Sequence, residues 1–249
     1  MGLDDAIHRN MLRALLRVGS LTERSAAEHV GPWLVIDAGV DEPRFNAAVP
    51  AEGIVDTPAA IQLAVDWFAA RAVPFRFHLR DSDEALLGEV RRRGFVEVDS
   101  EPAMSLSLEQ WVPGATAGIN VRRVTSDADI RRYAQVDGPA WHEITEGIAR
   151  TARNFPDFEL FLGEIDGEAV ATSMAVITGA IVGVFNVQTQ PRVRGRGFGT
   201  ALTAAAIEAG RGRGATTAAL QATEMGFGVY RAMGFDERFR YVILARPAD

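Results

Sequence analysis

Residues Arg194–Thr200 (RGRGFGT) restrict the fold of this chain more than any other stretch, because three of them, at alternate positions, are glycine. The apolar run at 182–189 predicts a β-strand before them, and the alanine-rich run at 200–209 predicts a helix after them. Glycine before a helix lets the free N–H groups of the helix start, which carry about half a positive charge, face inward. Arg194 and Arg196 add positive charge and paired donors. The stretch therefore predicts a strand–loop–helix unit that binds a pyrophosphate.

Two common nucleotide-binding patterns do not fit this stretch. The Walker pattern needs Lys followed by Ser or Thr after its last glycine, and that pair is missing. The dinucleotide fingerprint needs a third glycine where Thr200 stands, and an acid at the end of the next strand, where Gln221 and Ala222 stand.

The pattern that fits is Arg-x-x-Gly-x-Gly, at Arg194, Gly197 and Gly199. It resembles the acetyl-CoA-binding motif of the GNAT superfamily of N-acetyltransferases, and the resemblance covers about residues 119–247. It implies an α/β fold with a mixed, mostly antiparallel sheet flanked by helices. In that family the loop amides hold the CoA pyrophosphate, and main-chain groups of the preceding strand hold the pantetheine arm. The resemblance thus assigns acetyl-CoA to Val187, Thr189, Arg194, Gly195, Arg196, Gly197, Phe198, Gly199 and Thr200, with Phe198 expected to give only its N–H and to pack the helix onto the sheet.

A second signature, VYRAMGF, resembles the late helix of the same family and places Tyr230 four residues before Gly234-Phe235. In the family this tyrosine protonates the departing CoA thiolate. A phenol with a pKa of about 10 can donate to a thiolate whose thiol has a pKa of about 8.5 only when it is held close. A tyrosine that only seals the helix against the sheet is the alternative. Thr223 and Gly226 replace the Asn and Ala of many members, which concerns the distal contacts of the cofactor.

No residue stands out as the base that takes the proton of the acceptor amine. Three titratable residues lie in the segment that borders the acceptor site in this family: His142, Glu143 and Glu146. The ordinary pKa of a histidine, about 6.5, suits the task. Each of the three is also compatible with a solvated loop position, and a chain of waters is an alternative route for the proton.

Composition restricts the remaining classes. The net charge of −7 disfavours binding to a nucleic-acid backbone. The absence of cysteine excludes disulfides, thiolate metal sites and a cysteine nucleophile, and it fits a cytoplasmic protein. Asp4 and Asp5 stand where a secretory signal would be basic, and no apolar run reaches the length of a membrane span. We expect no metal, no nucleic acid and no membrane partner.

Helices and strands alternate along the chain. The pattern predicts a helical N-terminal region to about residue 29, a helix over 126–141 capped by Ser126, and a short helix over 142–152. The segment 109–118 contains proline, two glycines and small residues, and it predicts a linker.

Two anchor pairs recur at a spacing of 140 residues, with the same order of elements between them. They are Phe45-Asn46 with Phe185-Asn186, and Gly94-Phe95 with Gly234-Phe235. This favours an internal duplication. We therefore expect a degenerate GNAT-like domain over residues 1–110 and a catalytic domain over 119–249.

The first half has lost the residues that the resemblance assigns to the chemistry. Ile54–Ala59 (IVDTPA) stands opposite the glycine-rich loop and contains no glycine. Asp56 is expected to cap the next helix, where its carboxylate would occupy the N–H groups that a phosphate needs. Val90 stands opposite Tyr230 and cannot donate a proton.

Together these features predict a tandem N-acetyltransferase with one working site, in which a primary amine attacks the acetyl group of acetyl-CoA directly. A small-molecule acceptor is favoured over a protein, and both a monomer and a homodimer are compatible with the sequence. The alternative is a non-catalytic module that binds acyl-CoA.

Overall fold

The computed structural model describes residues 2–19, 24–39, 42–114, 118–139 and 141–247. These form two compact units. The C-unit comprises Met1–Asn10 and Met104–Asp236, and the N-unit comprises Met11–Ala103 and Glu237–Asp249. The predicted division at 110 to 119 stays a prediction, because each unit also takes in one end of the chain. Residues 115–117 of the predicted linker lie outside the described residues.

The first half of the chain supplies most of the N-unit. Its elements are α1 (Leu3–Val18), β1 (Ala26–Val30), β2 (Trp33–Asp37), β3 (Ala47–Pro50), α2 (Thr57–Ala69), β4 (Arg76–Arg80), α3 (Glu84–Arg92) and β5 (Val96–Ser107). The strands of the N-unit follow the order β1-β2-β3-β4, and only β3 and β4 are parallel in that series. A core of buried side chains from α2, α3 and the sheet, including Trp33, Phe68 and Phe77, fills this unit.

The second half supplies most of the C-unit. Its elements are β6 (Asn120–Arg123), α4 (Asp127–Gln135), α5 (His142–Ala152), β7 (Phe158–Ile165), β8 (Glu168–Thr178), β9 (Ile181–Thr189), α6 (Phe198–Arg211), β10 (Thr217–Gln221), α7 (Glu224–Ala232) and β11 (Asp236–Ala245), the last of which lies in the N-unit beside β4. The strands of the C-unit follow the order β10-β9-β8-β7-β6, parallel between β9 and β10 and antiparallel elsewhere. The predicted α/β fold with a mixed, mostly antiparallel sheet is confirmed.

Helices α4 and α6 lie on opposite faces of the C-unit sheet. Successive residues of a strand point to opposite faces. On β8, the Ser173 hydroxyl donates to the Leu202 carbonyl of α6 at 2.8 Å, whereas the neighbouring Thr172 faces Tyr133 of α4. The two faces of β9 are therefore covered by different helices.

Two predicted caps are confirmed. Ser126 and Asp129 form a capping box at the start of α4, in which each side chain accepts a hydrogen bond from the backbone of the other residue. Asp56 caps α2 and accepts a hydrogen bond from the Ala59 N–H at 3.1 Å. The short helix predicted over 142–152 is confirmed as α5.

Two predicted boundaries are wrong. The N-terminal helix ends at Val18, and Ala26–Val30 forms strand β1 because it pairs with β2, which overrides the helical preference of Ala and Glu. Helix α4 ends at Gln135 rather than at 141, because Gly138 takes a φ of 82° and Pro139 follows it.

The duplicated order of elements is visible in the bounds themselves. Helix α7 begins and ends 140 residues after α3, and β11 begins 140 residues after β5. In each half a parallel strand pair, β3–β4 or β9–β10, is connected through one helix. The two halves thus repeat one supersecondary pattern.

Candidate active site

The glycine-rich loop forms an open, exposed turn at the start of α6. Gly195 and Gly197 have φ values of 75° and 81°, which residues with a Cβ rarely adopt. Gly197 occupies the N-cap position, and among the described residues no side chain caps the helix there. The first N–H groups of α6 are therefore available to a ligand, as a pyrophosphate site requires.

The two arginines of the loop are held by contacts other than ion pairs. Arg194 donates through Nε to the Thr189 carbonyl at 3.1 Å, and the Arg196 guanidinium lies 4.8 Å from the centroid of the Phe198 ring. Within the described part of the chain, neither pairs with a carboxylate. Their positive charge at the start of α6 is thus not neutralised locally. Phe198 itself is 1% exposed and packs into the core of the C-unit.

Strand β9 has an unpaired edge next to this loop. Its pairing with β10 covers only Ile181–Gly183, so its later residues have no strand partner on that side among the described residues. Val187 and Thr189 lie in this part, and a Cβ built on Gly199 would lie 3.9 Å from Val187 Cγ1 and 3.8 Å from Thr189 Oγ1. The free main-chain groups of such an edge can bind an extended chain as an added strand. The cradle and the edge together fit a molecule with a pyrophosphate and an extended arm, such as acetyl-CoA.

Tyr230 lies on α7 and packs against the core of the C-unit, with its ring centroid 5.9 Å from that of Phe235. Burial raises the pKa of Tyr230, and the neighbouring Thr203 side chain lowers it by a smaller amount. The Thr203 hydroxyl is buried and makes no hydrogen bond of proper geometry. A Cβ on Gly226 would lie 2.8 Å from Tyr230 Cε2, so the absence of a side chain there leaves room for the ring. A neutral, partly buried phenol suits a proton donor.

The three candidate bases lie on α5, in different surroundings. His142 Nδ1 lies 3.2 Å from the Pro139 carbonyl, Glu143 is exposed, and Glu146 accepts from Arg150 Nε at 3.1 Å. Within the described residues none of the three hydrogen-bonds to α6 or α7. Their role as bases stays a prediction.

A buried polar group on the α4 face of the sheet was not predicted from the sequence. Tyr133 of α4 is 0% exposed, and its hydroxyl makes no hydrogen bond of proper geometry. Beside it lie Thr172 of β8 and Asn186 of β9. Asn186 has a φ of 49° in the stretch where the register between β8 and β9 shifts, and Thr172 Oγ1 donates to its carbonyl at 3.1 Å. Only the pairing of distant strands brings these residues together, so no local pattern could reveal them.

The N-unit has no equivalent of the cradle. Asp56 occupies the N-cap of α2, the position that Gly197 holds in α6, and its carboxylate already accepts a helix N–H. Val90, opposite Tyr230, is 0% exposed and serves the core. The chemistry assigned to the C-unit therefore has no counterpart in the residues of the N-unit.

The described residues contain no group of three or more His, Cys, Asp or Glu side chains placed to hold a metal ion. None of the described helices combines the length and the apolar character of a membrane span.

Comparison with solved structures defines the class of this fold. A GCN5-related N-acetyltransferase from Kribbella flavida is 24% identical, with 100% of this chain and 97% of that chain covered at a TM-score of 0.78. A tandem GNAT protein from the clavulanic acid biosynthesis pathway, solved without AcCoA, is 15% identical over 99% of this chain and 97% of that chain, with a TM-score of 0.66. A GCN5-related N-acetyltransferase from Sphaerobacter thermophilus is 19% identical over 84% and 76% of the two chains, with a TM-score of 0.65. The chain has the GNAT fold.

A family model described as the C-terminal region of the probable histone acetyltransferase Rv0428c matches residues 24–244. Since this match covers most of the chain, the protein belongs to that family of GNAT acetyltransferases. No protein with curated annotation matches the chain.

Proposed function

We propose that the protein is an acetyl-CoA-dependent N-acetyltransferase with a single site in the C-unit. The observation that supports this most is the uncapped start of α6, with Gly195 and Gly197 at positive φ, beside the unpaired edge of β9. These two features meet at the point where the chain turns from Thr189 into the loop. They provide separate places for a diphosphate and for an extended arm.

Acetyl-CoA, when bound, supplies an acetyl group activated as a thioester. The N–H groups of residues 195–200 and the guanidinium groups of Arg194 and Arg196 would hold its pyrophosphate. Main-chain groups of Val187 and Thr189 would hold the pantetheine arm. Tyr230 would donate its hydroxyl proton to the thiolate sulfur, because burial keeps the phenol neutral. The transfer would be direct, since the chain has no cysteine to carry the acetyl group.

The acceptor would be a primary amine, and we favour a small molecule over a protein lysine. The N-unit would have no cofactor of its own, because Asp56 occupies the helix start that a phosphate would need. The absence of cysteine favours the cytoplasm as the location of the enzyme.

A panel of amines tests this proposal. Purified protein is incubated with acetyl-CoA and one amine at a time, including small amines and a lysine-rich peptide, and the release of free thiol is followed. We expect amine-dependent thiol release with at least one small amine. Binding of acetyl-CoA without turnover across the panel would support the non-catalytic module instead, and turnover with the peptide alone would contradict the proposed acceptor class.

A further inference from the structure

Strand β9 presents different residues to the two faces of the C-unit sheet. Val187 faces α6, where it lies next to Gly199, and the preceding residue, Asn186, lies on the α4 face beside Tyr133. The two residues are neighbours on the part of the strand whose edge is unpaired. A group bound along this edge can therefore be reached from the α4 face at Asn186.

Asn186 is held in an unusual conformation. Its φ of 49° lies in the left-handed region, which asparagine tolerates better than most residues. The hydrogen bond from Thr172 Oγ1 to its carbonyl ties it to β8 at the register shift. The side chain of Asn186 is only partly buried, so it can meet a ligand. Strained backbone of this kind is often found at functional sites.

The phenol beside Asn186 is a buried group without a partner. A buried hydroxyl that makes no hydrogen bond destabilises the folded chain relative to a phenylalanine of the same shape. Tyr133 is nevertheless 0% exposed, and the Thr172 and Asn186 side chains lie close enough to lower its pKa slightly against the larger effect of burial. Its hydroxyl is thus poised to orient the Asn186 amide once that amide takes up a ligand.

The local charge favours a cation. The carboxylate of Asp137 lies near enough to Tyr133 to raise the pKa of the phenol. This carboxylate also accepts a short hydrogen bond from Thr145 Oγ1 of α5, which fixes it on the same face of the sheet. A negative carboxylate in this position attracts an ammonium group rather than a carboxylate or a phosphate.

We propose that the side-chain amide of Asn186 binds the acceptor amine, and that the hydroxyl of Tyr133 is a positioning group that fixes this amide. The inference rests on the proposed function and extends it, because it places the amine on the α4 face, opposite the cradle. It assigns amine recognition to residues of α4 and β9 rather than to the titratable residues of α5.

Three variants test it with an amine accepted by the wild-type protein. Asn186→Gly removes the amide and keeps the left-handed conformation accessible. Tyr133→Phe removes only the positioning hydroxyl. Tyr241→Phe, in the N-unit, is the matched control, because Tyr241 is also a buried tyrosine, at 1% exposed. For each variant we measure kcat, the KM of the amine, the KM of acetyl-CoA and the melting temperature.

We expect Asn186→Gly to raise the amine KM by about tenfold or more, as the loss of a hydrogen bond to a charged group predicts. Tyr133→Phe should raise the amine KM by a smaller factor while it keeps or raises the melting temperature. The KM of acetyl-CoA should not follow these changes, and Tyr241→Phe should leave the amine KM unchanged.

An unchanged amine KM in Asn186→Gly or in Tyr133→Phe would overturn the inference while leaving the proposed function intact. So would a Tyr133→Phe variant that loses stability and shows equal effects on both substrates, which is the signature of a packing role. If the wild-type protein used no amine at all, the proposed function would fail and the inference with it.

Discussion

The substitution Gly197→Asp tests the cradle, and the chain itself shows what this substitution would build. At the start of α2, Asp56 holds the N-cap position and accepts the Ala59 N–H at 3.1 Å. Gly197 holds the same position in α6 without a cap. An aspartate there would turn the start of α6 into a copy of the start of α2, with its N–H groups occupied and a negative charge in front of them.

The size of the effect follows from what is lost. Each hydrogen bond from a helix N–H to a charged group contributes about 1.5–3 kcal/mol, and at least one such bond would be replaced. We therefore expect the affinity for acetyl-CoA to fall at least about tenfold, which corresponds to roughly 1.4 kcal/mol. A left-handed residue other than glycine costs about 1–2 kcal/mol, and a new N-cap returns about 1 kcal/mol, so the fold should persist.

Calorimetric titration with acetyl-CoA measures this change. Gly214→Asp is the matched control, because Gly214 has a φ of 90°, is exposed and has no atom within 4 Å of a built Cβ, yet lies beyond the opposite end of α6. It carries the same charge and the same conformational cost away from the cradle. Equal affinities of Gly197→Asp and the wild-type protein would refute the reasoning, and an equal loss in both variants would show that the effect is not local.

Three further predictions follow from the same structure. Tyr230→Phe should lower kcat by about 10²–10⁴-fold while acetyl-CoA affinity holds, since it deletes only the proposed proton donor; near-normal kcat on an accepted amine would leave Tyr230 a packing role. Gly210→Ala should destabilise the fold by about 1–3 kcal/mol in urea unfolding, because its Cβ would lie 2.3 Å from Val182 Cβ, whereas Gly228→Ala, exposed and with nothing within 4 Å, should gain about 0.5–1 kcal/mol; equal effects of the two would contradict the packing of α6. Asp129→Asn should cost about 2 kcal/mol at pH 7, because the Arg122 guanidinium, at 2.6 Å, and two backbone N–H groups hold the pKa of this carboxyl well below its usual range. That stability is present above the unfolded pKa of about 4 and is lost as pH falls below it, so the difference from wild type in pH-dependent unfolding should shrink in acid, and a constant difference would contradict the assignment.

The parts of this fold that the sequence predicts are those set by local chemistry. The cap at Ser126, the cap at Asp56 and helix α5 depend on residues a few positions apart, and all three are confirmed. The glycine-rich loop is also local, because its conformation depends on positive φ at Gly195 and Gly197.

The parts that could not be predicted depend on pairing between distant strands. Strand β1 has the composition of a helix and is a strand only because β2 pairs with it. The unpaired edge of β9 exists because its pairing with β10 stops at Gly183, and no residue pattern announces this. The group formed by Tyr133, Thr172 and Asn186 joins residues from one helix and two strands, and the register shift that places Asn186 is a property of the sheet.

The stoichiometry of acetyl-CoA binding tests the central claim most directly. The cradle of the C-unit has two glycines at positive φ and an uncapped helix start, whereas the corresponding start of α2 in the N-unit is closed by Asp56. Titration of acetyl-CoA into the purified protein should therefore saturate near one molecule per chain, and Gly197→Asp should weaken that single binding event. Two molecules per chain, with one still bound in Gly197→Asp, would show that the N-unit binds the cofactor, and the absence of any binding would contradict the assignment of the cradle.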